Sequence, residues 1–134
     1  MSDFTKVNLR EVEDMAPRFG LSPGLESRFA RDPLGLENSG VSYFRLGADF
    51  RTPFGHRHEV QEEVYVLLAG TARLRVGEET VEMEPFDAVR VAPTAVRALQ
   101  GGPAGAELIA FGAPSDDNRD AQPIPGWWGD DSSA

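Results

Sequence analysis

Apolar and polar residues alternate over many short stretches of this chain, and turn-forming residues separate each stretch from the next. Alternation with a period of two is typical of β-strands. The pattern predicts strands at residues 26–31, 41–46, 64–68, 72–76, 80–83, 87–91, 96–99 and 107–111. Short strands at a spacing of roughly 8–12 residues predict an all-β, antiparallel sandwich or barrel.

Both histidines of the chain lie just before its longest apolar run. His56 and His58 are two residues apart, so on extended backbone their side chains point to the same side. Glu63 has the opposite parity, and it joins them only if the chain bends between Glu59 and Glu62. Two imidazoles and one carboxylate form a facial ligand set that suits iron, manganese, zinc, nickel or copper. The alternative is a turn in which these histidines and glutamates are solvated.

This stretch resembles the first motif of the cupin superfamily, Gly-x5-His-x-His-x3-4-Glu-x6-Gly. Four residues match it: His56, His58, Glu63 and Gly70. Phe50 stands where the motif has its first glycine, and choosing Glu62 as the acid makes the distance to the final glycine wrong by one residue. The resemblance implies a jelly-roll barrel, also called a double-stranded β-helix, that holds one divalent transition metal at the two histidines and Glu63.

The second cupin motif, Gly-x5-Pro-x-Gly-x2-His-x3-Asn, would supply a fourth ligand, but every marked position is changed here. Aligned on spacing, the motif falls on Phe86, Ala92, Thr94, Arg97 and Gly101. A shift of one residue to use Pro93 puts Ala98 at the ligand position. Neither alignment contains a histidine, so the resemblance implies only three protein ligands.

Arg97 takes the place of the fourth ligand, although a guanidinium has no lone pair to offer a metal. In one interpretation it clamps an anionic group of a substrate beside the metal. In a second it pairs with Glu63 and repels metal, which leaves a pocket for an organic ligand. In a third it points away. The further predicted substrate contacts are Tyr65, on the strand face of Glu63, and Tyr43 and Arg45, whose face is either a pocket wall or a solvated edge.

The chain has 134 residues, a net charge of -9 and no cysteine. This length suits one domain, which we divide into an N-terminal packing arm (1–37), the barrel (38–112) and an acidic tail rich in proline (113–134). The acidic balance argues against binding to nucleic acid or anionic membranes. The start of the chain lacks a signal-peptide pattern and no apolar run is long enough to span a bilayer, so we expect a cytoplasmic protein.

The tail contains both tryptophans of the chain, Trp127 and Trp128. Indole rings in a polar segment usually cover an apolar surface. Four alternatives remain open from the sequence: packing on the domain's own surface, a lid over the barrel mouth, docking on a second subunit, and disorder.

Cupins include dioxygenases, isomerases, decarboxylases and non-catalytic proteins, so the fold alone fixes little about the reaction. The resemblance implies a metal-dependent enzyme of the oxygenase or isomerase kind that acts on a small anionic or aromatic molecule, in a homodimer. The alternatives are a metal-free module that holds an organic ligand, and a structural dimer with a vestigial site. No residue is assigned a catalytic role. The zinc-peptidase pattern His-Glu-x-x-His fails, because its fifth position is Glu62.

Overall fold

The computed structural model describes residues 3–115 and 120–129. Within them the fold is mostly β, as predicted, with eight strands: β1 (Leu25–Phe29), β2 (Gly40–Leu46), β3 (Gly55–Arg57), β4 (Glu62–Val76), β5 (Glu79–Met83), β6 (Ala88–Val91), β7 (Arg97–Ala113) and β8 (Gln122–Ile124). One turn of α-helix, α1 (Arg31–Leu34), and two 3-10 helices (Leu9–Glu11 and Ala16–Phe19) complete the regular structure. None of the described helices is long and apolar enough to cross a membrane.

The two long strands β4 and β7 form the centre of one curled antiparallel sheet. They pair from Glu62 opposite Ala113 to Val76 opposite Arg97. Strands β5 and β6 pair with the two halves of β4, while β2 pairs with β7 and β1 pairs with β2. Strand β3 pairs with β7 and with β8. Because every pair is antiparallel and β7 contacts β2, β3 and β4, the sheet curls around a common interior.

The structure joins strands that the sequence pattern separates. Residues 64–68 and 72–76 belong to the single strand β4, and residues 97–99 and 107–111 belong to β7. The predicted break between residues 68 and 72 is wrong, because the sheet continues through Gly70 with shifts of register on both sides. Gly70 has φ +74°, and a Cβ there would lie 2.1 Å from the Gly105 carbonyl oxygen. Glycine therefore lets the strand bend without ending.

The interior is filled by apolar side chains from several strands. The apolar side chains of this cluster that are fully buried and largest are Leu46, Leu67, Leu74, Met83, Val91 and Leu108. The apolar run in β4 is not buried on both faces, since Leu68 is exposed while Tyr65 and Leu67 are buried. Glu63, Tyr65 and Leu67 therefore share the inward face of β4, as the alternation predicts.

The sheet extends beyond the predicted barrel limits of 38–112 at both ends. Strand β1 belongs to the predicted arm, and β8 belongs to the predicted tail. Trp128 is buried and donates a hydrogen bond from its indole nitrogen to the Thr52 carbonyl oxygen at 2.7 Å. Residues 120–129 thus pack on the domain itself, the first of the four alternatives. Most charged residues of the acidic tail lie outside the described residues: Asp116, Asp117, Arg119, Asp130 and Asp131.

Candidate metal centre

The predicted bend is present between β3 and β4. Strand β3 ends at Arg57, four residues turn the chain, and β4 begins at Glu62. The turn brings His56 Nε2 to 3.4 Å and His58 Nε2 to 3.5 Å from Glu63 Oε1. One ligand atom from each of these three side chains lies within 4.8 Å of the other two. The three predicted ligands therefore face one another, which is the arrangement a facial ligand set needs.

Close packing behind β3 fixes the position of the first histidine. A Cβ on Gly55 would lie 2.6 Å from Trp127 Cγ and 2.9 Å from Val96 Cγ1, so no side chain fits at that position. Arg75 stacks its guanidinium 4.6 Å from the centre of the Trp127 ring and donates to the Trp127 carbonyl oxygen at 3.0 Å. Trp127 of the tail thereby packs against β3 and fixes the position of His56 relative to the rest of the sheet.

Glu63 is the most connected group of the site. Burial by itself raises the pKa of this carboxyl, but His56 and His58 outweigh burial and hold its pKa well below the usual value. The Tyr65 hydroxyl donates to Glu63 Oε1 at 2.8 Å. Burial, with the Glu63 charge, raises the pKa of Tyr65 well above its usual value. Tyr65 therefore stays protonated as a donor and holds the Glu63 carboxylate in place. Tyr65 lies beside Glu63, as their shared strand face predicted.

His58 is buried with both ring nitrogens lacking a hydrogen bond to any described residue. Its Nε2 points toward Glu63, and its Nδ1 lies 3.6 Å from Asp120 Oδ2. Buried polar atoms are nearly always satisfied, so an imidazole nitrogen left in this state indicates a partner such as an ion.

Asp120 is a residue of this site that the sequence did not reveal. Its carboxylate accepts the backbone N–H groups of Glu59, Val60 and Gln61 at 2.9–3.1 Å. Burial raises the pKa of this carboxyl, but the three backbone donors and His58 together hold its pKa below the usual value. Asp120 thus holds the turn between β3 and β4 and sets a negative charge behind His58. Its separation of 62 residues from His58 (120 minus 58) leaves no local pattern that could predict the contact.

Arg97 lies beneath the centre and does not line the open cavity. Its side chain is fully buried, Nη2 donates to the Ala92 carbonyl oxygen at 2.9 Å, and Nη1 donates to the Pro93 carbonyl oxygen at 3.4 Å. Its Nε is 3.9 Å from Glu63 Oε1. The predicted substrate clamp is wrong for this placement, because the guanidinium has no accessible surface. The predicted pairing with Glu63 is what the structure shows.

Tyr43 and Arg45 lie outside the cavity lining, so the structure does not place them at the pocket wall, which was one of the two alternatives for their face. On β2 the cavity is lined by Ser42, Phe44 and Leu46, together with Gly40 and Val41 at the start of the strand. Tyr43 donates to Glu107, and Arg45 pairs with Glu26 on the neighbouring strand β1. Phe44 and Leu46 thus border the cavity from one face of β2, while Tyr43 and Arg45 bind partners on the other face.

Comparison with known proteins agrees with this geometry. Residues 46–102 match a family model described as a cupin domain. No curated protein matches the sequence significantly. Among solved structures, a cupin protein from Bacteroides fragilis superposes with a TM-score of 0.70 at 21% identity, covering 87% of this chain and 89% of its own.

Two similar enzyme structures are larger than this chain. Oxalate decarboxylase from Bacillus subtilis gives a TM-score of 0.73 at 16% identity, with coverage of 92% of this chain and 33% of the enzyme. Salicylate 1,2-dioxygenase from Pseudoaminobacter salicylatoxidans gives a TM-score of 0.61 at 20% identity, with coverage of 74% of this chain and 30% of the enzyme. The fold and the site thus define a small β-barrel of the cupin type. Residues 46–102 match the cupin domain, and the fold of the described residues is that of cupin structures.

Proposed function

We propose that this protein is a metal-dependent cupin enzyme that binds one divalent transition metal at His56, His58 and Glu63 and acts on a small molecule in the adjoining cavity. The observation that supports this most is the buried imidazole of His58, which has no hydrogen-bond partner among the described residues and faces His56 and Glu63. Two neutral nitrogens and one carboxylate oxygen fit iron, manganese, zinc, nickel or copper. When bound, such a metal supplies Lewis-acid polarisation of a substrate oxygen, or redox chemistry.

The protein's own residues have distinct tasks in this proposal. Tyr65 fixes the orientation of Glu63 through its hydrogen bond. The side chain of His56 is about one-third exposed (32%), whereas that of His58 is almost fully covered (3%), so substrate approaches from the His56 side. Glu63 is also largely buried, with 15% of its side chain exposed, and limited contact with water strengthens its electrostatic interactions with the two histidines.

Elemental analysis tests this function directly. Protein purified without chelator or affinity-tag metal is expected to carry about one equivalent of a transition metal, and His56→Ala is expected to lose it, because two ligands rarely hold such an ion. Circular dichroism of the variant controls for folding. If the wild-type protein carries no metal and takes up none from a buffer containing zinc, iron, manganese, nickel or copper, the proposal is wrong.

A second candidate is a metal-free binding module, and Arg97 is the observation that favours it. A buried guanidinium 3.9 Å from Glu63 Oε1 repels any cation held by that carboxylate. In this case the barrel holds an organic ligand without a metal. The metal measurement above separates the two candidates, and the oxygenase or isomerase reaction, like the homodimer, stays a prediction.

Asp120 is expected to act on the metal through His58. An Asp120→Asn variant keeps the size of the side chain but removes the charge behind His58 Nδ1. We expect metal affinity to fall by roughly 10-fold, since partners of this kind typically contribute 10- to 100-fold. The measurement is a metal titration of Asp120→Asn and wild type between pH 6 and 8, in which Asp120→Glu restores most of the affinity if charge is what matters. Equal affinity in Asp120→Asn and wild type would show that Asp120 only holds the turn.

A further inference from the structure

A cavity of about 870 Å³ adjoins the candidate metal centre. Its walls come from β1, β2 and β7, from the 3-10 helix Ala16–Phe19, and from Ala121 and Pro123 of the tail. The cavity reaches His56, His58, Glu63 and Tyr65 at one side. Ligand cavities typically measure about 300–1,000 Å³, and about 150 Å³ suffices for one benzene ring. The space therefore suits a ligand considerably larger than one aromatic ring.

Phenylalanine dominates the lining of this cavity. Five of the eight phenylalanines of the chain line it: Phe19, Phe29, Phe44, Phe54 and Phe111. Four of these five are exposed, at 69%, 38%, 44% and 45% for Phe19, Phe29, Phe54 and Phe111. Covering such apolar surface is favourable by roughly 25 cal/mol per Å². The mouth of the cavity thus offers binding energy to an apolar molecule.

Charged groups are scarce along the same walls. Among the described lining residues, Glu63 is the sole acidic side chain and Arg31 the sole lysine or arginine. Arg97, which the sequence suggested as an anion clamp, lies outside this lining. A polyanion or a polyhydroxylated ligand would bury polar groups without partners, at a cost of about 1–3 kcal/mol for each. Of the two kinds of substrate predicted from the sequence, a small anionic molecule is therefore disfavoured and an aromatic molecule is still favoured.

Gln61 supplies a neutral polar contact at the end of the cavity near the centre. The residue is 7% exposed, lines the cavity, and makes no side-chain hydrogen bond to any described residue. Its backbone N–H is held by Asp120 at 2.9 Å, which fixes its place two residues before Glu63. The amide offers one acceptor and two donors to an oxygen atom of the ligand.

We propose that the cavity binds an extended, largely apolar molecule of two or more rings, or an equivalent hydrocarbon body, whose single oxygen-bearing end reaches the side of Gln61 and the His56–His58–Glu63 centre. The part of this proposal that concerns the centre rests on the proposed metal-dependent function. The apolar character of the ligand follows from the lining of the cavity alone.

The test uses the neutral fluorescent probe N-phenyl-1-naphthylamine with full-length protein, both metal-free and metal-loaded. We expect saturable binding with enhanced, blue-shifted emission in both forms. Ser42→Phe, which fills the cavity from β2, is expected to weaken binding by at least about 10-fold, equivalent to ~1.4 kcal/mol. Phe54→Glu, at the exposed mouth, is expected to have a similar effect and serves if Ser42→Phe does not fold. Phe4→Ala, at a phenylalanine that is 78% exposed and outside the cavity lining, is the matched control and should not change binding.

Displacement of the probe tests whether the oxygen-bearing end of a ligand binds at Gln61 and the metal centre. In metal-loaded protein 2-naphthol should displace the probe at a lower concentration than naphthalene, and Gln61→Leu should reduce this difference. Absence of saturable probe binding, or binding that neither cavity variant weakens, overturns the proposal. The proposal is also overturned if probe binding disappears as the protein dimerises in sedimentation experiments, because the phenylalanines would then contact a second copy of the chain. Probe binding without any metal binding would instead overturn the proposed function and leave the apolar cavity standing.

Discussion

Glu63→Gln is expected to weaken binding of a divalent metal by at least about 100-fold. Loss of a partner outside the ligand set already costs 10- to 100-fold, and this variant changes a ligand itself. An uncharged amide neither neutralises the ion nor keeps the affinity of a carboxylate oxygen, and Oε1 of Glu63 is the atom that both histidines approach. Competition titration of metal-free protein against a chelating indicator gives the dissociation constant.

Glu62 provides a matched control one residue away. Its side chain is 56% exposed and lies 3.5 Å from Arg90 on the surface, outside the site. Glu62→Gln should bind metal as wild type does. If Glu62→Gln loses the metal while Glu63→Gln keeps it, the spacing that chose Glu63 is wrong. If both variants bind as wild type does, no carboxylate of this pair is a ligand.

Arg97→Met is expected to have opposite effects on folding and on metal binding. In metal-free protein, removing the guanidinium takes away the cation 3.9 Å from the buried Glu63 carboxylate, and it removes one of the two donors to each of the Ala92 and Pro93 carbonyl oxygens. Loss of one partner of a buried pair lowers the free energy of unfolding by roughly 3 kcal/mol. In contrast, metal affinity should rise by at least about 10-fold, because a positive charge next to the cation is gone. Urea unfolding with and without metal measures both quantities.

The control for this variant is Arg90→Met, which removes an arginine whose side chain is 62% exposed. Surface changes of this kind stay within about 0.5 kcal/mol. If Arg97→Met folds but binds metal more weakly than wild type, then Arg97 supports the centre, and our account of it as a competing cation is wrong.

Local pattern explains what the sequence could predict. The alternation of apolar and polar residues located six of the eight described strands, all except β3 and β8. The spacing of His56, His58 and Glu63 depends only on backbone geometry over eight residues. The bend between β3 and β4 followed from the opposite parity of Glu63. Each of these inferences concerns neighbours in the chain.

The parts that the sequence did not predict depend on distant contacts. Whether Tyr43 or Phe44 faces inward is decided by which side of β2 the curled sheet encloses, and alternation along one strand contains no such information. Arg97 comes to 3.9 Å from Glu63 Oε1 through the pairing of β7 with β3, in which Arg97 lies opposite His56. Asp120 approaches His58 only through the pairing of β8 with β3. The sequence left the placement of the tail open among four alternatives, and only the fold brings Asp120 of the tail to 3.6 Å from His58.

The central claim is that two imidazoles and one carboxylate hold a single ion inside the barrel. Anomalous diffraction from crystals of zinc-loaded protein tests it most directly. The account predicts one strong peak about 2.0–2.2 Å from His56 Nε2, His58 Nε2 and a carboxylate oxygen of Glu63. Crystals grown with saturating zinc that show no peak between these three side chains, or that show the ion bound elsewhere, would contradict it.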